Sequence, residues 1–239
     1  VSSSWIYFLI VGFMSTHFLN PLATIELTTG SNPTHSIIWM HGLGADGNDF
    51  VPIIEELDLP KTIAIRFIFP HAPKQPVTVN GGFIMRAWYD IRSADLDHAE
   101  DEIGLKRSEQ LIMQLIEKEK SRGIASENIV LAGFSQGGVM SLFVGLRYTE
   151  KLGGVMVLSG YLPLAHQFES STHLVNHTTP IFIGHGNEDM IVPIQLANKS
   201  KQQLITQGYL VEWHEYNMAH SVCNDELTDI SKWLQRVLL

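Results

Sequence analysis

Short apolar segments of strand length alternate with stretches of helical period along this chain, and that alternation limits its fold more than any other feature. Residues 23–28 and 35–40 read as strands separated by a turn at 30–33, and 62–69 reads as a third. A short amphipathic helix is expected at 49–57. Between Glu102 and Lys120, Leu111, Ile112, Leu115 and Ile116 recur at helical spacing. A run at 128–132 suits a buried parallel strand, followed by a helix at 137–147 and strands at 154–158 and 180–183. A helix at 193–207, a strand at 209–216 and a helix at 226–238 close the chain. The Pro- and Gly-containing stretch from Pro70 to about Ala99 reads as one long loop, of the kind that serves function or covers a site. This order predicts an α/β fold with a mostly parallel central sheet and helices on both faces. Its ligand site should lie beyond the carboxyl ends of the strands.

At 239 residues one large domain is expected, with no repeats and no linker-like tract. The net charge is −9 and no basic run exists to hold phosphates, which excludes nucleic acid as a partner. Cys223 is the single cysteine, so neither an internal disulfide nor a Cys/His zinc site is available. That suits a reducing, cytoplasmic setting. Residues 5–14, WIYFLIVGFM, are apolar but too short to span a bilayer as a helix. No Lys or Arg precedes them and no small-x-small cleavage site follows, so export stays open without being signalled. A weak signal, an interfacial anchor and residues upstream of the true start are three readings, the third preferred because Met14-Ser15-Thr16 resembles an ordinary cytosolic N-terminus. Residues 1–21 are accordingly taken as an extension and 22–239 as the domain.

Directly after the strand at 128–132 comes Gly133-Phe134-Ser135-Gln136-Gly137-Gly138, opening into a helix. A G-x-S-x-G turn between strand and helix is the setting in which a serine is held above a sheet as a nucleophile. Bulky side chains at Gly133 and Gly137 would collide at such a crossing. The Gln136 N–H, at the start of the helix, would face a developing oxyanion. Without that context the motif is a common glycine-rich turn.

A serine needs a positioned base, and in hydrolases of this architecture the order is Ser, then Asp or Glu, then His. His220 follows the last strand and precedes the last helix, while Asp189 follows the strand at 180–183. His185 precedes the acid, His214 lies inside a strand, Glu188 rivals Asp189, and Asp225 comes too late. Order and strand-end placement select Ser135, Asp189 and His220. A second oxyanion donor is expected in His41-Gly42-Leu43-Gly44-Ala45-Asp46-Gly47, with the Leu43 N–H as candidate. Asp46, Asn48 and Asp49 lack the spacing and closing Glu of a calcium loop, so no metal is expected.

Residues 76–91 carry Phe83, Ile84, Met85, Trp88 and Tyr89, which either cover the nucleophile and line an acyl pocket or form a satellite core cluster. Leu162, beside Pro163, is a second candidate wall.

HGLGADG at 41–47, FPHAP at 69–73, PVTVNGG and AWYDI within 76–91, GFSQGG at 133–138, HGNED at 185–189 and MAHS at 218–221 together resemble the acyl-protein thioesterase and phospholipase/carboxylesterase family. The resemblance runs in order from about residue 22 to the end. It implies an α/β-hydrolase fold without a large cap domain. It also implies serine-based hydrolysis of carboxylic esters, S-acylated proteins or lysophospholipids with no cofactor. Ser135 matches the nucleophile, Asp189 the acid, His220 the base, and Leu43 and Gln136 the oxyanion donors. The first acidic place of the family's HG-D-x-D pattern is Asn187 here. The rival readings are an inactive α/β-hydrolase fold acting as a binding module, a lipase or peptidase of the same fold, and a cysteine hydrolase built on Cys223, around which no elbow exists. Oligomeric state leaves no trace in the sequence.

Overall fold

The computed structural model describes residues 20–168 and 172–239. The apolar run at 5–14, and almost all of the 1–21 extension, lie outside the described residues. In chain order the elements are β1 (Thr24–Thr28), β2 (His35–Met40), α1 (Ile53–Glu56), β3 (Ile65–Pro70), β4 (Lys74–Val77), β5 (Phe83–Arg86), α2 (Glu102–Ser121), β6 (Ile129–Phe134), α3 (Gln136–Arg147), β7 (Gly154–Leu158), β8 (Ile181–Gly186), α4 (Ile194–Thr206), β9 (Val211–Tyr216) and α5 (Asn224–Leu238).

Seven strands make one sheet in the order β1-β3-β2-β6-β7-β8-β9, with β1 antiparallel to β3 and every other pair parallel. The central strands are apolar on both faces because both faces are covered. Ile38, Met40 and Leu131 pack toward α2 and α3, while Ile37, Trp39, Val130 and Ala132 pack toward α1 and α5. Leu142 and Leu146 of α3 and Leu204 of α4 cover Val155, Val157, Ile181 and Ile183. The core is thus two apolar layers separated by the sheet.

From β2 the chain first adds β3 on one side and later returns to add β6 on the other. At this reversal the loops leaving β2 and β6 diverge to opposite faces, and a crevice opens beyond Met40 and its partner Gly133. Both glycine-rich motifs leave the sheet at that point.

Several local expectations change. The turn at 30–33 joins β1 to β2, but β3 lies between them in the sheet. Only Ile53–Glu56 of the segment 49–57 is helical. Pro52 has no N–H to donate and biases the preceding residue away from helical geometry. Residues 70–99 are not wholly loop: β4 and β5 form a hairpin pairing Val77 with Phe83 and Lys74 with Arg86. Pro76 and the glycines Gly81 and Gly82 obscure its alternation. β8 continues beyond its apolar run to Gly186 because pairing with β9 continues through Gly184, His185 and Gly186. Among the described residues no helix is long and apolar enough to cross a membrane.

The crossing of α3 over the sheet leaves no room for a side chain. A Cβ on Gly137 would lie 2.1 Å from the Met40 carbonyl oxygen, and one on Gly133 would lie 2.3 Å from the Gly137 carbonyl carbon. Both obstacles are backbone, which cannot swing aside. Gly137→Ala is expected to cost about 2–3 kcal/mol or more of stability, read as a lowered urea midpoint. An unchanged midpoint would mean that the crossing opens without cost.

Candidate active site

Ser135 stands between β6 and α3 with φ 54° and ψ −120°, a conformation that L-residues rarely adopt. Its N–H donates to the Leu158 carbonyl at 2.8 Å, and its carbonyl accepts from the Val139 N–H at 3.0 Å. These bonds fix the turn from both sides and leave the side chain half-buried at the crevice.

The loop after β2 reaches the same place, since a methyl on Gly42 would sit 3.4 Å from Ser135 Cβ. His41 sets that loop. Its Nε2 accepts the Ala72 N–H at 3.0 Å, so Nδ1 carries the proton and donates to the Gly42 carbonyl at 2.7 Å. Burial pushes the His41 pKa down, keeping the ring neutral. The Gly44 N–H is tied to the Arg86 carbonyl at 2.9 Å. Between these anchors the Leu43 N–H, like that of Gln136, has no hydrogen-bond partner among the described residues. The Gln136 side chain has a role the sequence did not suggest. Its Oε1 accepts the Trp88 N–H and its Nε2 donates to the Tyr89 carbonyl, each at 2.8 Å.

Asp189 lies in the turn after β8, and its Oδ1 accepts the N–H groups of Ile191 and Val192 at 2.8 and 2.9 Å. Its Oδ2 is 2.7 Å from Nδ1 of His220. Burial alone would raise its pKa, but the hydrogen bond from His220 and those from Val192 and Ile191 outweigh it and hold the carboxyl below its ordinary value. The His220 loop rests on the end of β8, where a Cβ on Gly186 would meet the Met218 and Ala219 carbonyl oxygens at 2.3 and 2.5 Å. The imidazole packs on Phe134, the neighbour of Ser135, with ring centroids 4.7 Å apart. Asp189 engages Nδ1, so Nε2 is the nitrogen available to a nucleophile. Ser135 Oγ makes no hydrogen bond among the described residues, and such nucleophile–base bonds are often long before substrate binds.

The rival residues are otherwise engaged or face solvent, although His185 Nε2 lies 3.5 Å from the Asp189 Oδ2 that His220 contacts at 2.7 Å. His185 is fully buried, and its Nε2 is 2.8 Å from the Val192 carbonyl. His214 lies between Glu212 and Asp229 on the α5 side. Glu188 and Asp225 are exposed. Of the pocket candidates, Trp88 is wholly buried and donates Nε1–H to the His41 carbonyl at 2.9 Å, and Leu162 belongs to the core beneath α3 and α4. Met85 is half-buried, its sulfur facing Gly44, whereas Phe83 is 69% exposed near the hairpin tip. Asp46 caps its own loop by accepting the Asn48 N–H at 2.8 Å.

A mostly parallel sheet, an elbow serine at the strand-order reversal, and an Asp–His pair on the next strand ends define an α/β-hydrolase fold. The sequence model of the phospholipase/carboxylesterase family matches residues 23–238, and the chain belongs to that family. It is 38% identical to an acyl-protein thioesterase 1 of Gibberella zeae over 91% of this chain and 96% of that one. It is 39% identical to the Schizosaccharomyces pombe acyl-protein thioesterase 1 over 86% and 92% of the two chains. Among solved structures, Arabidopsis thaliana SOBER1 superposes with a TM-score of 0.81 at 32% identity, covering 86% of this chain and 99% of that one. Zea mays acyl-protein thioesterase 2 superposes with a TM-score of 0.80 at 27% identity, covering 91% and 100%. The protein is an ester hydrolase, and no finding supports the inactive binding-module alternative.

One buried carboxyl in the core lacks a hydrogen-bond partner. Glu226, in the first turn of α5, is fully buried, with neither carboxyl oxygen in a hydrogen bond of good geometry, and it fills the space above Gly184, where a Cβ would lie 2.2 Å from Oε1. Burial pushes its pKa up to about 8. In the unfolded chain the same carboxyl loses its proton near pH ~4.3, so between these values rising pH favours unfolding. Glu226→Gln should remove that penalty. Urea unfolding at about pH 5 and about pH 8 is expected to show the variant gaining on the order of 4 kcal/mol relative to the parent between them. Parallel pH profiles would contradict the buried neutral carboxyl.

Proposed function

We propose that the chain hydrolyses carboxylic esters and acyl thioesters through an acyl-enzyme on Ser135, with His220 as base and Asp189 as its orienting acid. The observation that carries this reading is the 2.7 Å Asp189–His220 contact standing over the elbow that presents Ser135. As Ser135 Oγ attacks the carbonyl carbon, its proton passes to Nε2 of His220, and Asp189 stabilises the imidazolium. The carbonyl oxygen gains charge toward the Leu43 and Gln136 N–H groups, each contributing about 3 kcal/mol. Collapse expels the alcohol or thiol, which takes the proton from His220. Water, activated by the same base, then releases the acid. No cofactor or metal enters these steps.

S-acylated proteins are the favoured substrates, with small esters and lysophospholipids as secondary ones, on the support of the thioesterase relatives. We take 22–239 as the catalytic domain and place it in the cytoplasm, where a lone Cys223 fits. Met85, at the oxyanion loop, is the best supported wall of an acyl pocket. Phe83 is the next, as the exposed tip from which a long acyl chain would be met. Trp88 and Leu162 support such a wall from the core.

Ser135→Ala is expected to fold normally and lose on the order of 10⁴-fold or more in kcat, with loss of labelling by a fluorophosphonate. Substantial turnover by the folded variant would refute the acyl-enzyme. With the parent protein, kcat/KM for an acylated cysteine peptide should exceed that for an aryl ester or a lysophospholipid of the same acyl length. The reverse order would remove the thioesterase assignment while leaving the esterase intact.

A further inference from the structure

At the root of the β4–β5 hairpin lies an open hollow of about 360 Å³, lined by His71, Arg86 and Arg107 together with Leu22, Pro73 and Leu111. No carboxylate comes within ion-pair distance of either arginine among the described residues. That is notable in a chain of net charge −9. Arg86 gives one N–H to the Ala72 carbonyl at 2.8 Å, and Arg107 gives one to Gln75 Oε1 at 2.7 Å. Most of their donors remain unspent, and Nε of Arg107 is buried without a partner. His71 accepts the Gly47 N–H on Nδ1 at 3.0 Å, which puts its proton on Nε2. Asp46 feels both His71 and Arg86, but its Oδ1 is taken by Asn48, and it weakens the positive field without cancelling it.

We infer that this hollow is an anion site for a phosphate group. Its donors come from three chain segments: the end of β3, the end of β5 and the body of α2. A planar carboxylate satisfies one guanidinium fork, whereas a tetrahedral phosphate presents acceptors to two forks and an imidazole N–H at once. Apart from Asn20 the remaining wall is apolar, and the volume exceeds that of a bare anion, so a phosphate joined to a small organic group fits as well as free phosphate. The hollow lies behind the oxyanion loop, since the Arg86 carbonyl holds the Gly44 N–H. It is separate from Ser135 and independent of the role assigned to that residue.

Calorimetric titration of the full chain with inorganic phosphate, and separately with phenyl phosphate, in low-chloride buffer tests the site. Saturable one-to-one binding is expected. Arg107→Gln should weaken it roughly tenfold or more. Arg107→Lys, which keeps the charge but loses the fork, should fall between the two, and Lys151→Gln, at a distant exposed cation, should match the parent. Hydrolysis of a short neutral ester by Arg107→Gln should be unchanged. Tighter binding of phenyl phosphate assigns the site to organic phosphates, and tighter binding of inorganic phosphate assigns it to the free anion. No saturable binding, or binding that both Arg107 variants leave intact, would overturn the site.

Discussion

The contact on which the site depends is one of backbone against backbone: Gly137 pressed on the Met40 carbonyl and Gly133 pressed on Gly137. It brings the end of β2, the end of β6 and the start of α3 closer together than side chains permit. Ser135 is held there at φ 54° because hydrogen bonds on both sides leave its backbone no alternative. Such a conformation costs on the order of 1–3 kcal/mol and persists only where the surroundings over-determine it. The same closeness sets Gly42 against Ser135, so one packing event positions the nucleophile candidate and the loop carrying the Leu43 N–H.

The other half of the site is built by hydrogen bonds rather than close packing. Asp189 spends one oxygen on the N–H groups of its own turn and the other on His220, so the carboxylate both shapes its loop and faces the imidazole. The histidines show how environment assigns roles. His41 and His185 are buried and shifted toward neutrality, each closing a loop. His220 keeps one ring nitrogen uncommitted at the crevice.

The β4–β5 hairpin links these features. Its root is fastened by Arg86 to the loop after β2, and the residues just beyond it by the Gln136 side chain to the elbow. Its tip leaves Phe83 and Ile84 exposed. Under the acyl-enzyme reading proposed above, a segment anchored at its base and apolar at its tip would meet an acyl chain without disturbing the catalytic geometry. The phosphate hollow shares that root through Arg86.

Much of this is written in local sequence. The strand–helix alternation carries the sheet class because each period reports which faces are buried. The elbow is visible because the crossing tolerates only glycine at 133 and 137. Chain order and strand-end position single out Asp189 and His220, and the structure brings those two together. The hairpin within 70–99 escaped notice because its pattern is broken by Pro76 and its stability comes from anchorage to other segments. The place of β1 at the sheet edge, beyond β3, was likewise hidden, since strand order depends on non-local pairing. Burial decided the rest. Trp88 reads equally as a pocket aromatic or as part of a satellite core cluster, and burial places it in the core, while Glu226 reads as an ordinary helix-start acid but is sealed over Gly184. Arg86 and Arg107, 21 positions apart in sequence, share one hollow. Sequence fixes which groups are present and how each segment prefers to run. Only the packed fold decides which groups lose water and which meet, because both depend on neighbours distant along the chain.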